Sequence, residues 1–184
     1  MARISLSGWV AFLVIVLFSS ILILALWNSH RWGNAKAMQI EDVARGLKNM
    51  VKDLTTVAEE VSANGSLTHK GTRHLWGIHR TNFQLRNSVR FLESTTVGCG
   101  DEWEKMVLAL NSIEIYLEDF YASPLTPQDQ CIIETIRADL DSIAELLDSV
   151  EDGWGLFGRR YNVKTSKIRR TRDYSQNITA ILSS

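Results

Sequence analysis

The run IEDVARGLKNMVKDLTTVAEEV, residues 40–61, decides the fold. Its main apolar residues follow one another in alternating steps of three and four: Ile40, Val43, Leu47, Met50, Leu54, Val57 and Val61. A repeat of 3.5 residues keeps one stripe of an α-helix turned toward a neighbouring helix. The segment therefore predicts a helix that packs lengthwise against others.

Three further segments carry the same repeat. Their stripes are Leu75, Ile78, Asn82, Leu85, Val89, Leu92; then Trp103, Met106, Leu110, Ile113, Leu117, Phe120; then Ile133, Ile136, Leu140, Ile143, Leu147, Val150. Flanking apolar residues widen these stripes: Ala44, Val51, Ala58, Phe83, Leu108, Tyr116, Ile132 and Leu146. Wide stripes favour a globular four-helix bundle over a long two-stranded coiled coil.

Turn signals separate the four segments. Asn64 and Gly65 form a helix stop, and VGCGDEWE, residues 97–104, interrupts the second repeat. In SPLTPQD, residues 123–129, Thr126 is placed to cap a helix that begins at Pro127. Because the connections are short, consecutive helices are expected to be antiparallel neighbours. The fold predicted for residues 39–152 is an all-α, up-down-up-down antiparallel four-helix bundle.

A transmembrane helix is predicted before the bundle. The stretch WVAFLVIVLFSSILILALW, residues 9–27, contains no charged residue and would span about 28 Å as a helix. Residues 1–8 then form a short N-terminal tail, and residues 28–38 a juxtamembrane linker. The charges flanking the span nearly balance, so the orientation rests on the commoner arrangement. The bundle is expected outside the cytoplasm, with a cytoplasmic bundle as the alternative.

Residues 153–184 form an aromatic and glycine-containing segment followed by a basic tail that could include a short helix. Residues 93–152 hold fifteen acidic and two basic residues, whereas residues 153–184 hold seven basic residues and one acidic residue. In an up-down-up-down bundle this tail starts near the membrane, so we expect an interfacial anchor. Its candidate residues are Trp154, Leu156, Phe157, Arg159, Arg160, Lys164, Lys167, Arg169 and Arg170. Two alternatives remain: the aromatic residues plug the bundle while the bases complement its acidic helices, or the tail binds a partner.

The cysteines and histidines do not form a recognisable site. Cys99 is expected in an exposed loop and Cys131 in the core at the opposite end, too far apart for a disulfide within one chain. His69, His74 and His79 recur every five residues, so they do not share one helix face as metal ligands would. We therefore predict no metal and no cofactor.

Asn82 is the one polar residue within the apolar stripes. Buried, it would fix the helix register; alternatively it lines a small ligand pocket with His79 and Arg86, or is exposed. We find no phosphate-binding glycine loop, no nucleophile elbow and no CxxC motif. The chain is accordingly predicted not to be an enzyme.

The predicted function is a single-pass membrane protein that serves as an interaction or scaffold subunit of a membrane complex. Its expected partners are membrane lipid and another membrane protein or a second copy of itself, and not nucleic acid. The alternative is an extracytoplasmic sensory or ligand-binding bundle that signals through a partner. A polar pocket at Asn82 would favour the sensor, whereas a continuous apolar core with exposed apolar patches would favour the scaffold.

Overall fold

The computed structural model describes residues 6–64, 67–96, 98–118, 120, 126–148, 151–155, 158–162 and 164–183. These contain α1 (Leu6–Asn64), α2 (His69–Thr95), α3 (Gly100–Glu118), α4 (Pro127–Leu147), β1 (Glu151–Gly155), β2 (Gly158–Asn162) and α5 (Thr165–Leu182). The predicted helical character of the chain is therefore confirmed. The small hairpin of β1 and β2 was not predicted.

One helix carries both the apolar span and the first heptad segment. Because α1 runs without a break from Leu6 to Asn64, the residues expected to form the juxtamembrane linker, 28–38, are helical. These residues contain no proline, and the single Gly33 disfavours a helix interior by only about 1 kcal/mol relative to alanine. Of the helices described, α1 is the one long and apolar enough to cross a membrane. The core stripe begins at Ala37, about 15 Å beyond Trp27 at helical rise.

Two helices, α2 and α4, begin directly after a residue whose side chain caps them. Thr126 is the N-cap of α4, and its hydroxyl accepts a hydrogen bond from the Asp129 backbone N–H at 3.2 Å. In return the Asp129 carboxylate accepts from the Thr126 backbone N–H at 2.7 Å, which completes a capping box behind Pro127. The predicted start of the fourth helix is confirmed. Thr68 is the N-cap of α2, and its hydroxyl accepts a hydrogen bond from the Gly71 backbone N–H at 3.4 Å.

Replacing Asp129 by Asn tests the capping box through its pH dependence. Burial opposes ionisation of Asp129, but hydrogen bonds from Thr126 and from the Tyr116 hydroxyl outweigh it and lower the pKa of this carboxyl. The carboxylate thus contributes stability at neutral pH that is lost as the pH falls through its lowered pKa. We expect Asp129→Asn to reduce the free energy of unfolding by about 1 kcal/mol at pH 7. In denaturant titrations this difference from wild type should shrink on acidification; a constant difference would contradict the assignment.

The four heptad stripes form one apolar core. Every described residue of the predicted stripes is buried, from Ile40 in α1 to Leu147 in α4. Val150 lies outside the described residues. The periodicity in the sequence therefore located the core correctly.

The helices contact one another in a ring whose order differs from their order in the chain. α1 contacts α2 and α4, α2 contacts α3, and α5 contacts both α3 and α4. In the described part of the chain no Cα atom of α3 lies within 8 Å of a Cα atom of α4. α5 therefore lies between two helices that were expected to be direct neighbours.

This order alternates the charge of adjacent helices. α2 carries five basic residues and one acidic residue, whereas α3 and α4 each carry five acidic residues and one basic residue. α5 carries four basic residues and one acidic residue, and the charges of α1 balance. With α5 inserted, the two acidic helices do not pack along their lengths; a hydrogen bond from the Tyr116 hydroxyl of α3 to Asp129 at the start of α4 joins them at one end. Arg172 of α5 contacts Asp101 of α3 at 3.0 Å, and Asn177 donates to Asp139 of α4 at 2.6 Å.

The C-terminal segment is thus largely part of the bundle. Ile168, Thr171, Ser175 and Ile178 of α5 are buried, at the same steps of three and four as the other stripes. Before α5, β1 and β2 pair antiparallel, and β2 contacts α1. The alternative in which the basic segment complements the acidic helices agrees with these contacts.

Both expectations for the cysteines are wrong. Cys99 is buried in the core and Cys131 is exposed. Cys99 precedes Trp103 by four residues, so it extends the stripe of α3 by one step. Cys131 stands two residues before Ile133, which places it about 200° around the helix from that core position.

The two thiols are expected to differ in reactivity. Burial, followed by the neighbouring Glu102 carboxylate, raises the pKa of the Cys99 thiol and keeps it protonated. In the native full-length protein, a maleimide should modify one thiol per chain, and Cys131→Ser should abolish that modification. Unfolding should expose the second thiol. Rapid modification of Cys99 in the folded Cys131→Ser variant, read by intact mass, would contradict its burial.

Candidate functional site

Asn82 lies at the centre of a polar cluster between α2 and α3. It is 1% exposed, and its amide nitrogen donates to the Leu110 backbone carbonyl at 2.9 Å and to Glu114 Oε2 at 2.7 Å. Since both partners are acceptors, they fix the orientation of the amide. The interpretation of Asn82 as an exposed residue is therefore wrong.

Arg86 and His79 complete this arrangement around Glu114. Arg86 Nη2 lies 2.9 Å from Glu114 Oε2, while its Nη1 donates to Asn111 Oδ1 at 2.9 Å. His79 Nδ1 lies 3.4 Å from Glu114 Oε1. We call these five residues, His79, Asn82, Arg86, Asn111 and Glu114, the Asn82 cluster. Its one carboxylate contacts three side chains of α2.

The geometry of the Asn82 cluster suits a register lock. Sliding α2 against α3 by one residue would separate Asn82 from both acceptors and leave polar groups buried without partners, which is costly. The Asn82 amide nitrogen already makes two hydrogen bonds, so both of its hydrogens are used. The cluster therefore joins two helices rather than presenting its central amide donor to a ligand.

The outer surface of α2 and α3 carries large apolar side chains. Trp76 and Phe83 of α2 are 66% and 60% exposed, and Leu108 and Ile115 of α3 are 43% and 66% exposed. We call these four residues the α2–α3 face. The expectation that Phe83 and Leu108 widen the core stripes is wrong. In the ring, α2 and α3 each have two neighbours, and no described helix covers this outer flank.

Arg86 bridges the two helices that carry the α2–α3 face. The guanidinium of Arg86 lies 6.0 Å from the centre of the Phe83 ring and reaches Asn111 on α3. Leu108 and Ile115 stand three residues before and four residues after Asn111, which places them on the same side of α3. Phe83 therefore lies level with the gap between these two aliphatic residues.

The predicted membrane-interface residues are divided among three parts of the chain. Leu156 and Phe157 lie outside the described residues. The backbones of Trp154 and Arg159 pair across the hairpin, as do those of Gly153 and Arg160. The remaining four belong to the start of α5: Lys164 is its N-cap, Arg169 and Arg170 are exposed, and Lys167 is half-buried.

The start of α5 lies toward the end of the bundle from which the apolar span of α1 extends. Arg172 contacts Asp101, which directly follows the turn between α2 and α3. That turn is held near Lys36 of α1, whose ammonium donates to the Thr95 carbonyl. Lys36 is about 14 Å beyond Trp27 at helical rise.

Two of the histidines lie beside carboxylates. His74 Nδ1 lies 2.8 Å from Asp53 Oδ1 and so links α2 to α1, whereas His79 belongs to the Asn82 cluster. Within the described residues, no group of three or more His, Cys, Asp or Glu side chains is arranged to hold a metal ion.

Sequence reasoning missed the polar core positions of α5. Thr171 and Ser175 are completely buried, but a search for apolar residues passes over them. The sequence did contain a signal for them. The positions from Ile168 to Ile178 match the heptad repeat if small polar residues are allowed at core positions. Glu114 was missed because it is one of several acidic residues in α3, and such residues are ordinarily exposed to solvent.

Comparison with known proteins gives no relative: no protein-family model, no curated protein and no solved structure matches this chain.

Proposed function

We propose that this chain is a single-pass membrane protein whose helical bundle works by binding, as a non-catalytic interaction or scaffold subunit of a membrane complex. The observation that carries the proposal is the α2–α3 face: Phe83 and Ile115 are largely exposed above a continuous apolar core. Contiguous exposed apolar residues flanked by charged ones are characteristic of protein-binding surfaces. Aromatic side chains are also enriched among the residues that dominate binding energy.

In the proposed arrangement, α1 leaves the membrane, α2 returns, α3 leaves, α4 returns and α5 leaves. Contacts of Lys36 with Thr95, and of Asp53 with His74, support antiparallel α1 and α2. The contacts of Lys48 with Asp148 and of Thr55 with Arg137 support antiparallel α1 and α4. The uninterrupted α1 would hold the bundle at a fixed height above the bilayer.

The sensory alternative receives less support. It needs a ligand site in the bundle, and Asn82 was its best candidate. Both amide hydrogens of Asn82 are donated to α3, so a ligand that accepts from this amide would have to displace an interhelical contact.

Trp154, Arg159 and Arg160 remain candidates for the membrane interface. Their hairpin follows the end of α4 and contacts α1, and it lies between α4 and the membrane-proximal start of α5. Such a position would bring aromatic and basic residues near lipid headgroups, where each base contributes about 1 kcal/mol at an anionic surface.

The exposed Cys131 provides a direct test of orientation. A membrane-impermeant maleimide applied to intact cells should label the full-length protein if the bundle lies outside the cytoplasm, as we propose. Cys131→Ser is the control for specificity. Labelling that requires lysis would overturn the extracytoplasmic placement and favour a cytoplasmic scaffold.

Photo-crosslinking tests the binding function itself. A photoreactive phenylalanine analogue at position 83 of the full-length chain, in its native membrane, should give a discrete adduct under light. The matched control is the same analogue at Ala138, an exposed position on α4. Absence of any adduct at position 83, or equal adducts at both positions, would overturn the proposal that the α2–α3 face is a binding surface.

A further inference from the structure

We infer that the occupant of the α2–α3 face is the same face of a second copy of this chain, so that the protein forms a parallel, two-fold symmetric dimer. The inference rests on the proposed function, because it requires both copies to be anchored in one membrane. It adds the identity of the partner.

Membrane anchoring restricts the symmetry. If both α1 helices cross the same bilayer in the same direction, the two-fold axis must stand perpendicular to the membrane. The axis then runs parallel to the helices of the two bundles. The two-fold rotation about this axis places α2 of each copy opposite α3 of the other copy. Residues that are equally far from the membrane in the two copies stay level with each other.

The charges of the two helices match that arrangement. α2 has a surplus of basic residues and α3 a surplus of acidic ones, so each apposition across the axis brings opposite charges together. An axis that placed α2 of one copy against α2 of the other would instead bring two basic surfaces together. Complementarity of this kind selects partners and orientation.

The positions of individual residues along the helices also agree with this dimer. Within one chain, Asn82 contacts Leu110 and Arg86 contacts Asn111, so a residue of α2 has its counterpart on α3 at the same height. By this correspondence Phe83 meets the gap between Leu108 and Ile115 of the second copy. Seven residues separate those two, about 10 Å along the helix, which leaves space for an aromatic ring.

Two exposed charges lie beside this apolar contact, at its end nearer the turn between α2 and α3. Arg90 of α2 and Glu104 of α3 are both exposed, and the same correspondence places them at similar heights. Across the axis, Arg90 of each copy therefore faces Glu104 of the other. The dimer would contain two such pairs at the same height, one on each side of the two-fold axis.

The mass of the purified full-length chain in mild detergent tests the dimer. We expect a protein mass of twice 20.8 kDa at micromolar concentration, and a monomer for Phe83→Glu. Ala138→Glu, on exposed α4, should remain dimeric. Far-UV circular dichroism and protection of Cys99 from maleimide must be unchanged in Phe83→Glu, so that loss of the dimer is not loss of the fold. A monomeric wild type, or a dimeric Phe83→Glu variant, would overturn the inference.

A charge exchange separates contacts between chains from contacts within one chain. Arg90→Glu alone and Glu104→Arg alone should each weaken self-association by about tenfold, since every pair across the axis becomes repulsive. Mixing the two variants should restore association, because the carboxylate introduced in one chain then faces the guanidinium introduced in the other. Unrestored association in the mixture would contradict the proposed geometry.

The photo-crosslinking adduct distinguishes this inference from the proposed function. With two differently tagged copies, an adduct at position 83 that contains both tags supports the dimer. An adduct with a different protein would leave the binding function standing and overturn the self-association. No adduct would overturn both.

Discussion

Asn82→Asp is expected to destabilise the bundle by about 3–5 kcal/mol at neutral pH, among the largest effects of any single substitution in this chain. The new carboxylate would lie against the Leu110 carbonyl and the Glu114 carboxylate, at the positions where Asn82 now donates two hydrogen bonds. The introduced carboxylate would then face two acceptors at a buried position, and one of these acceptors is itself negatively charged.

Asn82→Leu is the matched control. It removes both hydrogen bonds but introduces no charge, and Glu114 keeps its contact with Arg86. We expect a change of about 1 kcal/mol. Thermal and urea unfolding of the full-length protein in mild detergent, followed by circular dichroism, measures both variants. Acidification should partly restore Asn82→Asp as one carboxyl becomes protonated. Equal stability of the two variants would contradict the hydrogen bonds assigned to Asn82.

Ile178→Asp is the second substitution with a large expected effect, at least about 3 kcal/mol of destabilisation. Ile178 is completely buried in the core although it belongs to the basic C-terminal segment. An aspartate at this position would lose apolar contacts and bury a charge. A freely solvated tail would tolerate the same change.

Gln176→Asp provides the comparison on the exposed side of α5. It introduces the same carboxylate two residues away, and we expect a change within about 0.5 kcal/mol. The same unfolding measurements apply. If Ile178→Asp behaved like Gln176→Asp, α5 would not be part of the folded core.

The sequence predicted the helices and their buried stripes because one physical constraint dominates them. A helix that packs along its length must repeat its apolar contacts every 3.5 residues, and residues 40–61 satisfy that requirement almost without exception. The same constraint, extended one step backward from Trp103, would also have placed Cys99 in the core.

The order of the helices in the ring was harder to read. Short connections favour neighbours in sequence, and that rule predicted contact between α3 and α4. Two acidic helices repel each other, however, and the basic α5 is available to separate them. The periodicity of the apolar residues predicts which face of a helix is buried, but it does not predict which other helix covers that face.

The Asn82 cluster was half visible in the sequence. Asn82 was conspicuous as the single polar residue in an apolar stripe, and His79 and Arg86 follow from helical spacing on α2. Glu114 could not be recognised, because its role depends on the height at which α3 meets α2. The α2–α3 face was likewise hidden: Phe83 and Leu108 have the spacing of core residues and are exposed only because no helix lies beside them.

The central claim is that α5 completes the bundle by lying between α3 and α4. Chemical crosslinking of Asp139→Cys with Asn177→Cys tests it most directly, in a full-length Cys99→Ala, Cys131→Ser background. The native side chains at these positions are 2.6 Å apart, so a short bis-maleimide should link them within one chain, while a control pair of Asp139→Cys with exposed Arg170→Cys should remain unlinked. An intrachain crosslink for the first pair alone, read by intact mass, is the predicted result; no crosslink, or equal crosslinking of both pairs, would contradict the claim.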